Sequence, residues 1–247
     1  MTRSKIRLGV NIDHIAFIKK SRDTDFPNLK EAVLICQDAG ADLITIHLRE
    51  DRRHIQDDDA ITIRNCCERL NFEMANTDEM IEFAIKLKPN YCCIVPEKRD
   101  EKTTEGGLRV TNLTNDEKLY LSNNIKLLKD NDIEVSLFID PVKENIISCK
   151  NLGAQTIELH TGNYANQTDP HLAKIELEKL IESAIHAEKC GLRVNAGHGL
   201  NYTNLREILC IPYLNEVNIG HSIIAESVFV GLKDAIIKIK SIIDSCD

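Results

Sequence analysis

The chain has 247 residues, of which 43% are hydrophobic and 28% are charged. This composition is typical of a globular protein with a sizeable core, and the length suits one large α/β unit, so we expect a single domain over residues 1–247. The net charge of −8 argues against nucleic-acid and anionic-membrane partners, because such partners are bound through broad basic surfaces.

Short apolar segments rich in β-branched residues predict eight strands. In chain order they are residues 6–13, 42–48, 71–75, 91–96, 134–140, 156–162, 193–199 and 216–221. Helical patterns separate them, such as DEMIEFAIKLK and KIELEKLIESAIHAEKCG, in which apolar residues return every three or four positions. Several of these helices end at a Gly or an Asn-Asp signal a few residues before the next strand. The chain is therefore predicted to alternate strands with helices.

Two architectures fit this alternation: a closed (β/α)8 barrel and an open doubly wound sheet. Eight strands favour closure, and no G-x-G-x-x-G motif follows a strand, as the dinucleotide-binding open sheet would require. We therefore predict an α/β fold made of a single (β/α)8 TIM barrel. Such barrels carry their active site at the C-terminal ends of the strands.

Polar residues gather at those predicted strand ends. They are Asn11, Asp13, His14, His47, Glu73, Glu97, Lys98, Asp140, Glu158, His160, Asn195, His198, Asn218 and His221. One strand-end histidine is more often structural than catalytic, but separate structural explanations for five on one rim are less attractive. Glu73, among barrel core residues, needs a partner or a shifted pKa, which favours a functional role. Glu158 has the same character, with a salt bridge in the core as the alternative.

Glycine motifs close the last two predicted strands. NAGHG follows the seventh strand and NIGH the eighth, and small residues there let backbone N–H groups approach a phosphate. Each motif alone is weak, because glycine also serves ordinary turns. Together they indicate a local site for a small phosphorylated ligand.

The nine cysteines do not form a metal or redox motif. Cys66-Cys67 and Cys92-Cys93 are adjacent pairs, and no C-x-x-C spacing occurs. Reduced, mostly buried thiols are expected. No apolar run approaches the roughly 20 residues of a membrane span, and the first residues lack a signal-peptide pattern. We expect a cytoplasmic protein without a membrane partner.

The motifs together resemble the pyridoxine 5′-phosphate synthase family. They are GVNIDHIA, GADLITIHLREDRRHI, NFEMA, CCIVPEKRDEKTTEGGL, VSLFID, IELHTG and VNAGHGLNYTN, followed by EVNIGH, and they extend from about Leu8 to Asp234. The resemblance implies a barrel that condenses 1-deoxy-D-xylulose 5-phosphate with 3-amino-2-oxopropyl phosphate. The products would be pyridoxine 5′-phosphate, phosphate and water. No cofactor is needed, because the substrate amine forms the imine, and the family assembles as homo-octamers built from dimers.

The resemblance also implies roles for individual residues. His47, Glu73 and His198 would exchange protons, for which groups that titrate near neutrality are suited, and Glu158 would stabilise the transition state. The amino-ketone phosphate would be held by Asn11, Arg22, Gly199, Gly220 and His221. The deoxyxylulose phosphate would be held by Asp13, His14, Arg49, His54 and Thr103. We also expect residues 96–108 to form a lid and Arg22 to reach a neighbouring subunit.

Two other functions stay open at this point. A metal-dependent barrel hydrolase would use His47, His198 or His221 with a carboxylate as ligands. H-x-H and H-E-x-x-H motifs are absent, so we expect no metal site. A non-catalytic barrel would bind phosphorylated metabolites or act as a scaffold, and it would tolerate the loss of Glu73.

Overall fold

Eight parallel strands form a closed barrel in the computed structural model, which describes residues 5–22, 24–97 and 106–246. The strands are β1 (Arg7–Asn11), β2 (Leu43–His47), β3 (Leu70–Met74), β4 (Tyr91–Ile94), β5 (Glu134–Ile139), β6 (Thr156–His160), β7 (Arg193–Gly197) and β8 (Leu214–Ile219). Each pairs with its neighbour in sequence, and β8 closes the ring by pairing Val217 with Leu8 of β1. The predicted (β/α)8 barrel is confirmed, and every predicted strand is present.

Helices surround the barrel. They are α1 (Asp13–Lys20), α2 (Leu29–Asp38), α3 (Asp57–Cys66), α4 (Asp78–Leu87), α5 (Asn115–Asp130), α6 (Lys143–Leu152), α7 (Gly162–Ala165), α8 (Pro170–Lys189), α9 (Leu205–Ile208), α10 (His221–Val230) and α11 (Leu232–Asp244). Side-chain caps begin several of them: Thr77 accepts from the Met80 amide at α4, and Asp169 accepts from two amides at α8. In the part of the chain described, none of the helices is long and apolar enough to cross a membrane.

The strands are buried on both faces. β2 and β6 bury every residue, as expected for parallel strands that have helices on one side and the barrel interior on the other. Apolar side chains such as Ile44, Ile46 and Phe72 belong to one large core cluster. The thiols fit the expectation from sequence, since all nine cysteines are free and five of them are buried.

The interior of the barrel is polar. The Thr45 hydroxyl of β2 donates to Oδ1 of Asn218 on β8 at 2.9 Å, across β1. Gly9 of β1 leaves room for this contact, because a Cβ there would lie 2.0 Å from that oxygen. Hydrogen-bonded side chains therefore fill this part of the interior, since buried polar groups need partners.

Asn218 is the centre of this interior network. Its Nδ2 donates to Oε2 of Glu158 at 2.8 Å and to Oε1 of Glu216 at 3.1 Å. Glu216 also accepts from Nδ2 of Asn195 at 3.0 Å, and its other oxygen lies 2.9 Å from a guanidinium nitrogen of Arg7. The network thus runs along the barrel axis, from Arg7 at the N-terminal end of β1 to Glu158.

Candidate active site

A cavity of about 850 Å³ lies at the C-terminal ends of the strands. All of the site residues predicted from sequence line it except Arg22 and Thr103. Arg22 lies in the exposed turn after α1. Thr103, with the rest of residues 98–105, lies outside the described residues. The barrel therefore brings together side chains from six strands that are far apart in sequence.

Asp13 joins the ends of the first two strands. It follows β1, and its Oδ1 accepts from the backbone amide of His47 at 2.9 Å. Its Oδ2 accepts from Nδ2 of Asn11 at 3.0 Å, and the Asp13 amide donates to Oδ1 of Asn11 at 2.9 Å. The carboxylate is held by these contacts, which fixes His47 relative to β1.

His47 is paired with a carboxylate. Its Nε2 lies 2.8 Å from Oε1 of Glu97, and the side chains are 8% and 5% exposed. The other Glu97 oxygen accepts from the Glu50 amide at 3.1 Å. Burial acts to raise the pKa of Glu97, but the hydrogen bond and the charge of His47 outweigh it and hold that pKa below its usual value. The ionised carboxylate favours the proton on Nε2 and leaves Nδ1 as the basic nitrogen.

Two other carboxyl groups retain protons much more readily. Burial raises the pKa of Glu73 well above its usual value, and the charges of Glu158 and Asp13 raise it further. Burial, followed by the charge of Glu216, raises the pKa of Glu158 to about 8. Glu158, with a pKa of about 8, can therefore both give and take protons near neutral pH.

Asp13, His47 and Glu73 also form a group that could hold a metal ion, since one ligand atom from each lies within 4.8 Å of the others. Over residues 5–22, 24–97 and 106–246, no other group of this kind occurs. It contains neither His198 nor His221, so the ligand set considered for a hydrolase does not come together. Both Asp13 oxygens already accept hydrogen bonds within the chain.

Four other histidines at the strand ends form two pairs. The rings of His14 and His221 are 5.2 Å apart, and those of His160 and His198 are 5.1 Å apart. Burial, and then the charge of His160, lowers the pKa of His198 to about 4. Burial also lowers the pKa of His54. His198 therefore favours the neutral imidazole at pH 7.

Backbone geometry favours an anion at the last two strand ends. His198 and Gly199 both have positive φ, 82° and 79°, and Gly220 precedes the first turn of α10. The amides of that turn have no acceptor inside the helix, and the helix dipole favours negative charge there. A Cβ at Gly220 would lie 2.9 Å from the Asn11 Cβ, so the close approach of β8 and β1 requires glycine.

Several residues that line the cavity or contact its lining residues directly or through one neighbour received no role from sequence. Glu97, Asp140, His160 and Asn218 were noticed only as polar strand-end residues, and Glu216 was not noticed at all. The strand-end position was the available signal, but partners across the barrel do not appear in a sequence. The apolar Phe17 and Phe229, which line the mouth and are exposed, also gave no signal.

Sequence comparisons connect the chain to known proteins. The model of a family described as "Pyridoxal phosphate biosynthesis protein PdxJ" matches residues 8–245. The chain is 48% identical over 239 residues to a pyridoxine 5′-phosphate synthase of Coxiella burnetii (strain RSA 493 / Nine Mile phase I), covering 96% of this chain and 98% of that protein. It is also 48% identical over 241 residues to the synthase of Blochmanniella pennsylvanica (strain BPEN), covering 97% of each.

Solved structures share the fold at low sequence identity. KGPDC from Streptococcus mutans is 12% identical, with a TM-score of 0.66 and coverage of 98% of this chain and 99% of that one. Phosphoribosyl anthranilate isomerase from Thermus thermophilus is also 12% identical, with a TM-score of 0.59 and coverage of 98% and 100%. At such identity these likenesses concern the fold alone.

Proposed function

The chain belongs to the family described as pyridoxal phosphate biosynthesis protein PdxJ, and we propose that it forms the pyridoxine ring. The reaction is the condensation of 1-deoxy-D-xylulose 5-phosphate with 3-amino-2-oxopropyl phosphate, which gives pyridoxine 5′-phosphate, phosphate and water. The observation that carries the proposal is the grouping of His47, Glu73 and His198 in one cavity beside a glycine-rich backbone. The family does not support the alternatives of a metal-dependent hydrolase or a non-catalytic barrel.

Proton transfers around a carbonyl are the chemistry that this cavity supports. We assign to His47 the removal of a proton as the substrate amine attacks the ketone, because Glu97 leaves its Nδ1 basic. Glu73, whose pKa is raised, would carry protons during dehydration and ring closure. Glu158 would stabilise the transition state from the cavity floor.

His198 would protonate a leaving oxygen, and because burial lowers its pKa, a bound substrate would have to raise that pKa. A phosphate dianion bound beside the Gly199 backbone would raise the pKa of His198, since a nearby opposite charge favours the protonated form. The imidazole would then hold a proton only when a substrate is present. This order avoids an unpaired positive charge on a largely buried imidazole.

Two different phosphate sites fit the requirement that one phosphate is retained and the other leaves. The backbone at Gly199 and Gly220 would hold the amino-ketone phosphate, with Asn11 and His221 beside it. Arg49, His14 and His54 would hold the deoxyxylulose phosphate, and a guanidinium offers a planar two-pronged donor to the charge that grows on a departing phosphate. Asp13 and Thr103 are assigned to the same substrate.

We further propose a homo-oligomer in which Arg22 acts in a neighbouring subunit. Arg22 does not line the cavity of its own chain. Phe17 on α1 and Val228 and Phe229 on α10 are exposed near the cavity mouth, which suits burial by a second copy. Assembly as an octamer built from dimers and a cytoplasmic location follow from the family resemblance, and nine free thiols suit a reducing compartment.

Incubation of the purified protein with both phosphorylated substrates tests the proposed reaction. The aromatic pyridoxine ring absorbs strongly in the near ultraviolet, where the ketone groups of the two substrates absorb only weakly, so its appearance is followed directly. We expect ring formation with both substrates together and none with either alone. Absence of the ring product with a well-folded protein would overturn the proposal.

A further inference from the structure

Three consecutive residues, the last of β6 and the two that follow it, lie against His198. They are His160, Thr161 and Gly162, the HTG of the motif IELHTG. The roles proposed above for this motif involve only Glu158. A shared target for three neighbours in sequence indicates that the segment has a function of its own.

Thr161 holds the backbone of His198. Its hydroxyl lies 2.6 Å from the His198 carbonyl oxygen and 2.8 Å from that of Gly197. The Gly197 oxygen already accepts from the Thr161 amide at 2.9 Å, so the bond to His198 is the one that only the hydroxyl supplies. His198 needs such support, because a residue with a side chain is disfavoured at its φ of 82°.

Gly162 leaves space for the His198 ring. A Cβ at this position would lie 2.4 Å from Nε2 of His160 and 3.0 Å from Cδ2 of His198. Any side chain there would therefore displace one of the two imidazoles. The space is filled by the edge-on contact between the two rings, whose planes differ by 62°.

His160 forms a fixed wall for the His198 ring. Its Nδ1 lies 3.0 Å from Oδ1 of Asp140, and its ring is tilted against Phe138 with centroids 5.2 Å apart. The same Asp140 oxygen accepts from the Gly107 amide at 3.1 Å. The hydrogen bond from His160 is the largest effect on Asp140 and holds its pKa below the usual value, so the anchor is an ionised carboxylate.

We propose that His160, Thr161 and Gly162 are positioning residues for His198, and that Asp140 anchors them through His160. The proposal rests on the proposed function, in which His198 donates a proton to a leaving oxygen. Thr161 fixes the strained backbone, Gly162 admits the ring, and His160 limits its rotation. Such positioning matters because misplacing a reacting group by about 1 Å can reduce the rate about 10²-fold.

Two threonines, the first residue of β6 and the residue directly after its last, provide a matched test. Thr161 and Thr156 are both buried, 0% and 2% exposed, and both hydroxyls donate hydrogen bonds, that of Thr156 to Oε1 of Glu134 at 2.6 Å. Thr156 lies at the opposite end of the strand. Thr161→Val should lower kcat of ring formation about 10- to 100-fold with little change in KM. Thr156→Val should retain kcat, and Thr161→Ser should restore most of it.

A spectroscopic measurement separates this proposal from the proposed reaction. The ring C–H NMR signals of His198, identified by their loss in His198→Gln, should shift in Thr161→Val and Asp140→Asn but not in Thr156→Val. These shifts are expected even if the wild type forms no pyridoxine ring. That result would overturn only the proposed reaction. If Thr161→Val does not fold, Asp140→Asn takes its place in the kinetic test, because the Asp140 side chain is 42% exposed. Unchanged His198 signals and equal kcat for both threonine variants would overturn the positioning role.

Discussion

Nε2 of His47 lies 2.8 Å from Oε1 of Glu97, with both side chains almost fully buried. A buried histidine and carboxylate at this distance act as a unit, because the carboxylate sets which ring nitrogen carries the proton and stabilises the imidazolium when it forms. Glu97 therefore determines which ring nitrogen of His47 would be available to accept a proton.

Glu97→Gln tests this relationship. The substitution removes the negative charge. The new amide can also present its NH2 group to Nε2, which favours the tautomer of His47 with the proton on Nδ1. We expect kcat for ring formation to fall at least about 10²-fold, with the overall fold retained in the circular dichroism spectrum. Glu50→Gln is the control, since only the backbone amide of Glu50 contacts Glu97; a similar loss in both variants would contradict the assignment.

Glu73→Gln should fold normally and lose most ring formation. The amide keeps the shape of the protonated carboxyl but cannot exchange protons, and acid/base groups contribute about 10²- to 10⁴-fold to a rate. Steady-state kinetics and the melting temperature are measured on the same preparation. A loss below about tenfold would remove Glu73 from acid/base catalysis, whereas a much lower melting temperature would identify it as a structural carboxyl group.

The raised pKa of Glu158 should make folding stability depend on pH. The pKa of Glu in the unfolded chain is about 4.3, whereas the pKa of Glu158 in the folded protein is about 8. Between these values the folded state binds more protons, so the free energy of unfolding falls as pH rises. Urea denaturation at pH 5, 6.5 and 8 should show this fall in the wild type and a smaller one in Glu158→Gln. Parallel curves would show that the folded group is ionised in this range.

Arg49→Lys should separate the two proposed phosphate sites. Lys keeps the charge but loses the planar pair of donors, so the KM for deoxyxylulose phosphate should rise about tenfold or more. The KM for the amino-ketone phosphate, held by backbone amides, should change little. Each substrate is titrated at saturating concentrations of the other. Equal changes in both values would mean that the two sites are not separate.

The barrel and its strand ends were predictable because they follow from local patterns. Strands such as Leu43–His47 are apolar runs of the right length, and polar residues directly after them must lie at one rim of a parallel barrel. The interior was not predictable. Asn218 and Glu216 belong to a strand whose two faces are both buried, so burial does not distinguish an inward amide from an outward one. Their partners come from strands distant in sequence.

The chain of contacts from Arg7 through Glu216 and Asn218 to Glu158 has a consequence for how variation in this protein is interpreted. In barrels of this type, the N-terminal face usually serves stability and the C-terminal face serves chemistry. Here a buried charge at the first face is linked by hydrogen bonds to a carboxyl group at the second. Burial, partly offset by Arg7, raises the pKa of Glu216 to about 7. A substitution at Arg7 is therefore expected to alter the proton affinity of Glu216 and, through it, that of Glu158 near the opposite end of the barrel.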